Sequence, residues 1–414
     1  MGNIIASWDI GDNTIKLITA EISTNKFNIL NVSEVSSKGL KDGLIINPEQ
    51  LIGSLKEVFK KAEEVLGVNV NKVIVNVPGN DARFISSEGL TTITNEDKVI
   101  KGVDIIRAMQ ASIYNRIPKN YEVANIIPMI FKINDDNPIT NPINMNAETL
   151  TVKDVVAIVP KKNIYTLIKC LENIGITIID VTLPSVGDYY LIKNDKINRS
   201  VGAIVNIGEA TVNVSIFNKG VITNTEVINL GGQNIDNDIS FIYNVTKKDA
   251  KNLKEKMALA TNRMAKASET LTVTNKLGEE VKINQYELSE IVKSRLTEIL
   301  ELIKKQINLL TKKEISYIIF TGGMTEIANF DILLDEVFGK NASVYVTQEL
   351  GARDNRFSTG LGMIKYYNSK LELRDKNFSI FSNDELEDLS GKHKKINISE
   401  NSLLGKLFGY FFDN

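Results

Sequence analysis

The chain carries the same unusual element twice. Ile5-Ala6-Ser7-Trp8-Asp9-Ile10-Gly11-Asp12-Asn13-Thr14-Ile15-Lys16-Leu17-Ile18 is echoed by Ala203-Ile204-Val205-Asn206-Ile207-Gly208-Glu209-Ala210-Thr211-Val212-Asn213-Val214-Ser215-Ile216, with Gly11 against Gly208 and Thr14 against Thr211. Each copy reads as an apolar strand, a tight glycine turn and a second β-rich strand, a hairpin whose tip exposes backbone N–H groups. Alone, either is a plain hairpin; as an internal repeat, the two predict a chain built from two similar halves. A glycine turn lets backbone donors approach a phosphate because no side chain intervenes, and two facing turns pinch a nucleotide between them. A third element, Ile318-Ile319-Phe320-Thr321-Gly322-Gly323-Met324, runs from an apolar strand into a Gly-Gly turn before a helix. Such strand ends receive ligands in α/β sheets, although a tight packing turn has the same sequence.

Apolar period and length predict strands over 27–33, 72–77, 221–230 and 317–321, and helices over 48–66, 161–174, 246–267 and 286–310. The chain is therefore α/β with mixed sheets. Residues 84–160 interrupt the first half with a strand–helix–strand pattern of their own, including a helix near 104–114 and a strand near 154–159. This is the pattern of an inserted subdomain, and its Pro- and Asn-rich stretch 134–146 reads as a loop.

A chain of 414 residues with a net charge of −2 has room for two or more cores and no basic stripe for nucleic acid. Its one cysteine, Cys170, and one histidine, His393, exclude disulfide frameworks, Cys/His zinc sites and histidine-dependent catalysis within the chain. Cys170 falls on the apolar face of a helix, as a packed thiol does. The N-terminus lacks a secretory signal pattern and no stretch reaches the roughly 18 apolar residues of a membrane span, so the expectation is a cytoplasmic protein.

From 369 to 400 charge density rises and apolar spacing becomes irregular, which predicts a flexible linker. Apolar character then returns. At about 100° per residue, Leu403, Leu404, Leu407, Phe408, Phe411 and Phe412 occupy one half of a helix, with Gly405, Lys406, Gly409 and Asp413 on the other. A helix docked on the body has the same period; the preceding linker and the two Phe pairs favour a membrane surface. The segment carries little net charge, so insertion supplies most of its affinity, with Lys392, Lys394 and Lys395 adding on the order of 1 kcal/mol each near anionic lipid. One such tail is a reversible anchor, and a row of them on a polymer binds far more tightly.

Two phosphate hairpins, the Thr321-Gly322-Gly323 turn, and the segments Leu183-Pro184-Ser185-Val186-Gly187 and Ser358-Thr359-Gly360-Leu361-Gly362 resemble the superfamily of actin, sugar kinases and DnaK-type chaperones. Within it the chain resembles the bacterial cell-division FtsA family. The insertion sits where that family carries subdomain IC, and 231–240, 290–296 and Gly351-Ala352-Arg353-Asp354 are similar to its other segments. The resemblance implies an actin-like two-domain fold with duplicated ribonuclease-H-like halves. Subdomain IA would take 1–83, 161–197 and 355–368; IC, 84–160; IIA, 198–230 and 315–354; and IIB, 231–314, before the linker and the membrane helix 401–414.

It also implies ATP held by Gly11, Asp12, Asn13, Gly208, Glu209, Thr211, Gly231, Gly232, Gln233, Lys254, Gly322, Gly323 and Met324, with Mg2+ on Asp9 and, through water, Asn206. Two departures bear on chemistry. The first hairpin has Asp12 where the family carries Ser or Thr, and the second reads Asn206-Ile207-Gly208-Glu209-Ala210 where the family carries Asp-Ile-Gly-Gly-Gly. Carboxylates at 12 and 209 stand near phosphate oxygens unless they turn away or a cation bridges them, and Asn206 weakens the hold on magnesium. The resemblance thus implies an adaptor with at most slow ATP hydrolysis. It polymerises, binds the FtsZ C-terminal tail through subdomain IIB, with Arg295 touching that tail, and holds it to the cytoplasmic face of the membrane at the division site, where later division proteins join. A pilus-assembly adaptor of related fold, and a small-molecule kinase of the same superfamily, are the alternatives.

Overall fold

The computed structural model describes residues 2–23, 26–382 and 385–386. The tail at 401–414, with its six apolar residues, lies outside them, as does His393.

The first half opens with β1 (Asn3–Ile10), β2 (Thr14–Ser23) and β3 (Lys26–Ser36), a meander, followed by the two-residue strands β4 (Leu40–Lys41) and β5 (Leu44–Ile45). Helix α1 (Pro48–Leu66) shows why the sequence signal was legible. Asn47 caps it by accepting from Gln50 N, Pro48 supplies a preset φ at the first turn, and Gly67 closes it at φ 72°. Leu51, Leu55, Val58, Ala62 and Leu66 repeat at helical spacing and are buried. Next comes β6 (Lys72–Asn76), then the insertion: β7 (Arg83–Thr92), α2 (Gly102–Ile113), β8 (Tyr121–Ile133) and β9 (Thr149–Pro160), an antiparallel sheet ordered β7-β9-β8 with α2 against it and an apolar core of its own. The chain returns through α3 (Lys161–Glu172), which buries Cys170, then β10 (Thr177–Thr182) and α4 (Pro184–Ile192).

The second half repeats the plan. It runs β11 (Val201–Ile207), β12 (Val212–Asn218), β13 (Val221–Ile228), α5 (Gly232–Ile242), α6 (Lys247–Met257), β14 (Thr270–Thr274), β15 (Glu280–Asn284), α7 (Gln285–Leu310), β16 (Tyr317–Thr321), α8 (Phe330–Phe338) and β17 (Ala342–Val344). The two large sheets are ordered β10-β6-β1-β2-β3 and β17-β16-β11-β12-β13. In each, the hairpin strands pair antiparallel and the next two strands join parallel, so the repeat seen in fourteen residues extends to five strands. Each sheet has its own apolar core.

Helix α9 (Ser358–Leu373) returns to the first half, crossing α4 and packing on β1, β2 and β6. A Cβ on Gly362 would overlap the carbonyl of Gly187, and one on Gly187 would lie 3.0 Å from the carbonyl of Thr359, so the two backbones meet where neither carries a side chain.

Two expected boundaries move. The helix expected over 246–267 stops at Met257, because Ala258 turns extended and Ala260 N donates to Ala328 O at 2.8 Å. The apolar stretch Met257–Ala260 suits a helix, but tertiary pairing overrides propensity. The expected linker does not begin at 369. Helix α9 continues to Leu373, Phe378 and Ile380 pair with Ile4 along β1, and Ile380 and Phe381 are buried in the first core. Apolar residues spaced for a bridge, rather than for a helix or a full strand, made this stretch look irregular.

Candidate functional site

Both glycine turns open onto one cleft of about 450 Å3, lined by Gly11, Asp12, Asn13, Gly208, Glu209 and Thr211 with Gly322 and Gly323. That volume lies within the range of small-molecule sites. The turns are built alike: Gly11 N donates to Thr14 O at 3.0 Å and Gly208 N to Thr211 O at 2.9 Å. Gly322 completes the wall at φ 94°, where a Cβ would collide with Asn206 and the backbone of Ile207.

The first hairpin presents Asp9 at the end of β1. Its Oδ1 accepts from Asn76 Nδ2 at 2.9 Å and its Oδ2 from Lys16 Nζ at 3.2 Å, while Ile10 N donates to Asn76 Oδ1 at 2.8 Å. Asp12 turns aside: both carboxylate oxygens accept from Gly43 N, at 2.9 and 3.0 Å, on the β4–β5 loop. Burial pushes its carboxyl up, the Gly43 N–H pulls it back in part, and Asp42 pushes it further up.

In the second hairpin Asn206 Nδ2 donates to Asp188 Oδ2 at 2.9 Å and to Thr359 Oγ1 at 3.1 Å. Asp188 is buried on α4 and also accepts from Thr359 Oγ1 at 2.8 Å through Oδ1. Burial dominates its titration and pushes the carboxyl up to about 7 against the hydrogen bonds from Asn206 and Thr359, with Asp9 adding to the rise. Asn206 therefore serves a buried acid: a neutral amide donates where a second carboxylate would repel.

Glu209 turns outward from the tip onto α6. Its Oε1 lies 3.0 Å from Lys251 Nζ and its Oε2 3.3 Å from Lys254 Nζ. Burial alone would raise the Glu209 carboxyl, but Lys254 and Lys251 more than reverse this and hold it below the usual value. Lys254 is 2 % exposed and donates to Gly232 O at 3.2 Å. It also lies 2.9 Å from Asp236 Oδ1, off hydrogen-bond alignment, so that contact is Coulombic.

Gly231, Gly232, Gln233, Lys254 and Met324 stand behind the cleft wall rather than on it. Gly232 N donates to Gly208 O at 3.1 Å and Gln233 N to Glu209 O at 2.7 Å, so the start of α5 is spent on the hairpin turn. Met324 packs in the second core beside Gly232. Sequence reasoning passed over Lys16, Asn76, Asp188, Lys251, Arg356 and Thr359. Lys16 shares a strand face with Thr14, and Lys251 lies one helical turn before Lys254, so periodicity could have found both. Among the described residues no group of three Asp, Glu, His or Cys side chains gathers to hold a metal ion.

Arg295 lies elsewhere, on α7. Its Nε and Nη2 grip Asp238 at 2.7 and 3.0 Å and its Nη1 reaches Glu298 Oε2 at 2.6 Å. One turn along α5 from Asp238, Phe241 is 88 % exposed.

A family model described as cell division protein FtsA matches residues 203–362, and one described as the SHS2 domain inserted in FtsA matches residues 79–158. The cell division protein FtsA of Bacillus subtilis is 30% identical over 368 residues, covering 88% of this chain and 83% of that protein. This chain belongs to the FtsA family of cell-division proteins. Its SHS2 insertion, matched over residues 79–158, contains the β7–β9 module. The FtsA-family fold is actin-like. A solved PilM-PilN type IV pilus biogenesis complex is similar at TM-score 0.58 and 13% identity, covering 89% of this chain and 98% of that one. MreB5 of Spiroplasma citri bound to ADP is similar at TM-score 0.57 and 13% identity, covering 90% and 99%. As an FtsA-family member, the chain pairs an actin-like body with a cleft onto which both glycine turns open, carrying Asp12, Asn206 and Glu209.

Proposed function

We propose that this protein is an ATP-binding, polymer-forming adaptor that tethers FtsZ to the cytoplasmic face of the membrane at the division site, with at most slow hydrolysis. The observation that carries the reading is the convergence of both glycine turns and the Gly322–Gly323 turn on one cleft in a cell-division family member. Backbone N–H groups at Asp12–Asn13 and Glu209–Thr211 would face the phosphates, and the Gly322–Gly323 turn the nucleoside. The MreB5 similarity adds a relative of this fold bound to ADP.

Magnesium would sit on Asp9 and, through water, on Asn206, supplying charge neutralisation to the phosphates. Lys16 already contributes one positive charge at Asp9. The tail pattern of Leu403, Leu404, Leu407, Phe408, Phe411 and Phe412 supports membrane attachment. Among the described residues no helix is long and apolar enough to cross a membrane. For the FtsZ tail, the Asp238–Arg295–Glu298 cluster beside exposed Phe241 offers polar and apolar contacts within 231–314, the segment assigned to subdomain IIB. Self-association into filaments multiplies the weak single-tail affinity, and later division proteins would join the assembled polymer. The test is co-sedimentation with liposomes and FtsZ, with and without ATP. FtsZ should pellet with the vesicles only when this protein is present; FtsZ remaining in the supernatant would refute the tether.

A further inference from the structure

The two hairpin tips each carry a carboxylate, and they are restrained in different ways. Asp12 is held by the Gly43 N–H of the β4–β5 loop, which is not one of the N–H groups of the first glycine turn. Glu209 is held by two ammonium groups. Lys251 and Lys254 sit one turn apart on α6, directly behind the second glycine turn, and both point at Glu209.

Elsewhere in the cleft Lys16 is engaged by Asp9 and Arg356 by Asp354 and Glu34, while Lys162 also lines it. The start of α5 gives Gly232 N and Gln233 N to the carbonyls of Gly208 and Glu209. A carboxylate on two lysines beside a glycine turn has the chemistry of a bound phosphate oxygen pair, and here the chain supplies it from its own turn.

We propose that Glu209 is an internal anion that occupies the phosphate-binding position of the second hairpin and must leave Lys251, the cation of the pair that lines the cleft, before a nucleotide's phosphates engage it. The inference rests on the nucleotide reading of the cleft. It deepens that reading by naming the residue that sets how strongly phosphate charge is recognised. Glu209 then lowers affinity for phosphate-bearing ligands and leaves the nucleoside untouched. A ligand anion competes with a carboxylate already in place, and until that carboxylate moves, like charges face one another at short range.

Folding is not at stake in removing the charge. Lys254 keeps Asp236 at 2.9 Å and Gly232 O at 3.2 Å, and Lys251 keeps Glu255 at 3.7 Å. Glu209→Gln preserves size and one of the two acceptor oxygens while removing the charge; Glu209→Ala in the same turn repeats the comparison if the glutamine variant fails to fold. Isothermal titration with ATP, tripolyphosphate and adenosine, each against the full-length protein and the variant at one salt concentration, tests the idea.

The expected result is that Glu209→Gln tightens ATP and tripolyphosphate by about tenfold or more, the effect of one repulsive charge at close range, and leaves adenosine unchanged. Equal ATP affinity in both proteins would overturn the internal anion while leaving the nucleotide reading intact. Equal tightening of adenosine and ATP would also overturn it, since the effect would then not be on phosphate. Tighter tripolyphosphate with no ATP binding would support the internal anion and remove the nucleotide reading. No binding of any of the three, by either protein at millimolar ligand, would overturn both.

Discussion

Asp188 gives the cleft a pH-dependent stability that one substitution should remove. The carboxyl is buried between the halves and titrates near 7 in the fold, against 3.8 for the free side chain. The folded state therefore binds a proton more readily than the unfolded state between those values. Stability from this group is fully present below about pH 4 and is lost as pH rises toward 7. At 1.36 kcal/mol per pKa unit, the protonated form contributes about 2.5 kcal/mol more at pH 5 than at pH 8.

Asp188→Asn cannot ionise. Its amide still accepts from Thr359 Oγ1, and rotation of the Asn206 amide restores the second contact. The variant should then gain about 2.5 kcal/mol relative to the parent between pH 5 and pH 8. Urea unfolding followed through Trp8, the single tryptophan, reads this directly, because Trp8 is buried in the strand that carries Asp9. A stability difference between the two proteins that stays constant from pH 5 to pH 8 would refute the account of Asp188 as a buried, raised carboxyl.

Two further outcomes follow from the geometry. Gly362→Ala places a methyl on the Gly187 carbonyl and should cost about 1–3 kcal/mol or force α4 and α9 apart, read as a drop in thermal midpoint; an unchanged midpoint would show that the crossing yields freely. Arg295→Glu reverses the charge beside Asp238 and Glu298 and should weaken binding to an FtsZ C-terminal peptide by about tenfold while vesicle binding persists, measured by fluorescence anisotropy at fixed salt; unchanged affinity would remove Arg295 from that site.

Much of the fold was legible because the repeat is a backbone statement. Gly11 and Gly208 mark where the chain must turn, and the apolar runs beside them have only strands to form. The insertion was equally visible, since 84–160 restarts a strand–helix–strand pattern between two matched segments. What escaped notice depended on contacts distant in sequence. Nothing in Val186-Gly187-Asp188-Tyr189 announces that its acid will meet Asn206 and Thr359 across the two halves.

The carboxylate at 12 was read as facing phosphate because its turn faces the cleft; a loop thirty-one residues away supplies the Gly43 N–H that draws it off. Asn206 looked like a lost metal contact, and its structural partner is a second acid that a restored aspartate would repel. Residues 374–382 looked like part of a linker because Ile380 and Phe381 bury themselves, and Phe378 packs in part, against the first core without a regular element to set their spacing.

The tether is tested most directly by co-sedimentation of purified FtsZ with anionic liposomes in the presence of ATP, comparing the full chain with a truncation lacking residues 401–414. The full chain should carry FtsZ into the vesicle pellet, and the truncated protein, folded and still binding FtsZ in solution, should leave it in the supernatant. Equal recovery of FtsZ in the two pellets, or none with the full chain, would contradict the account.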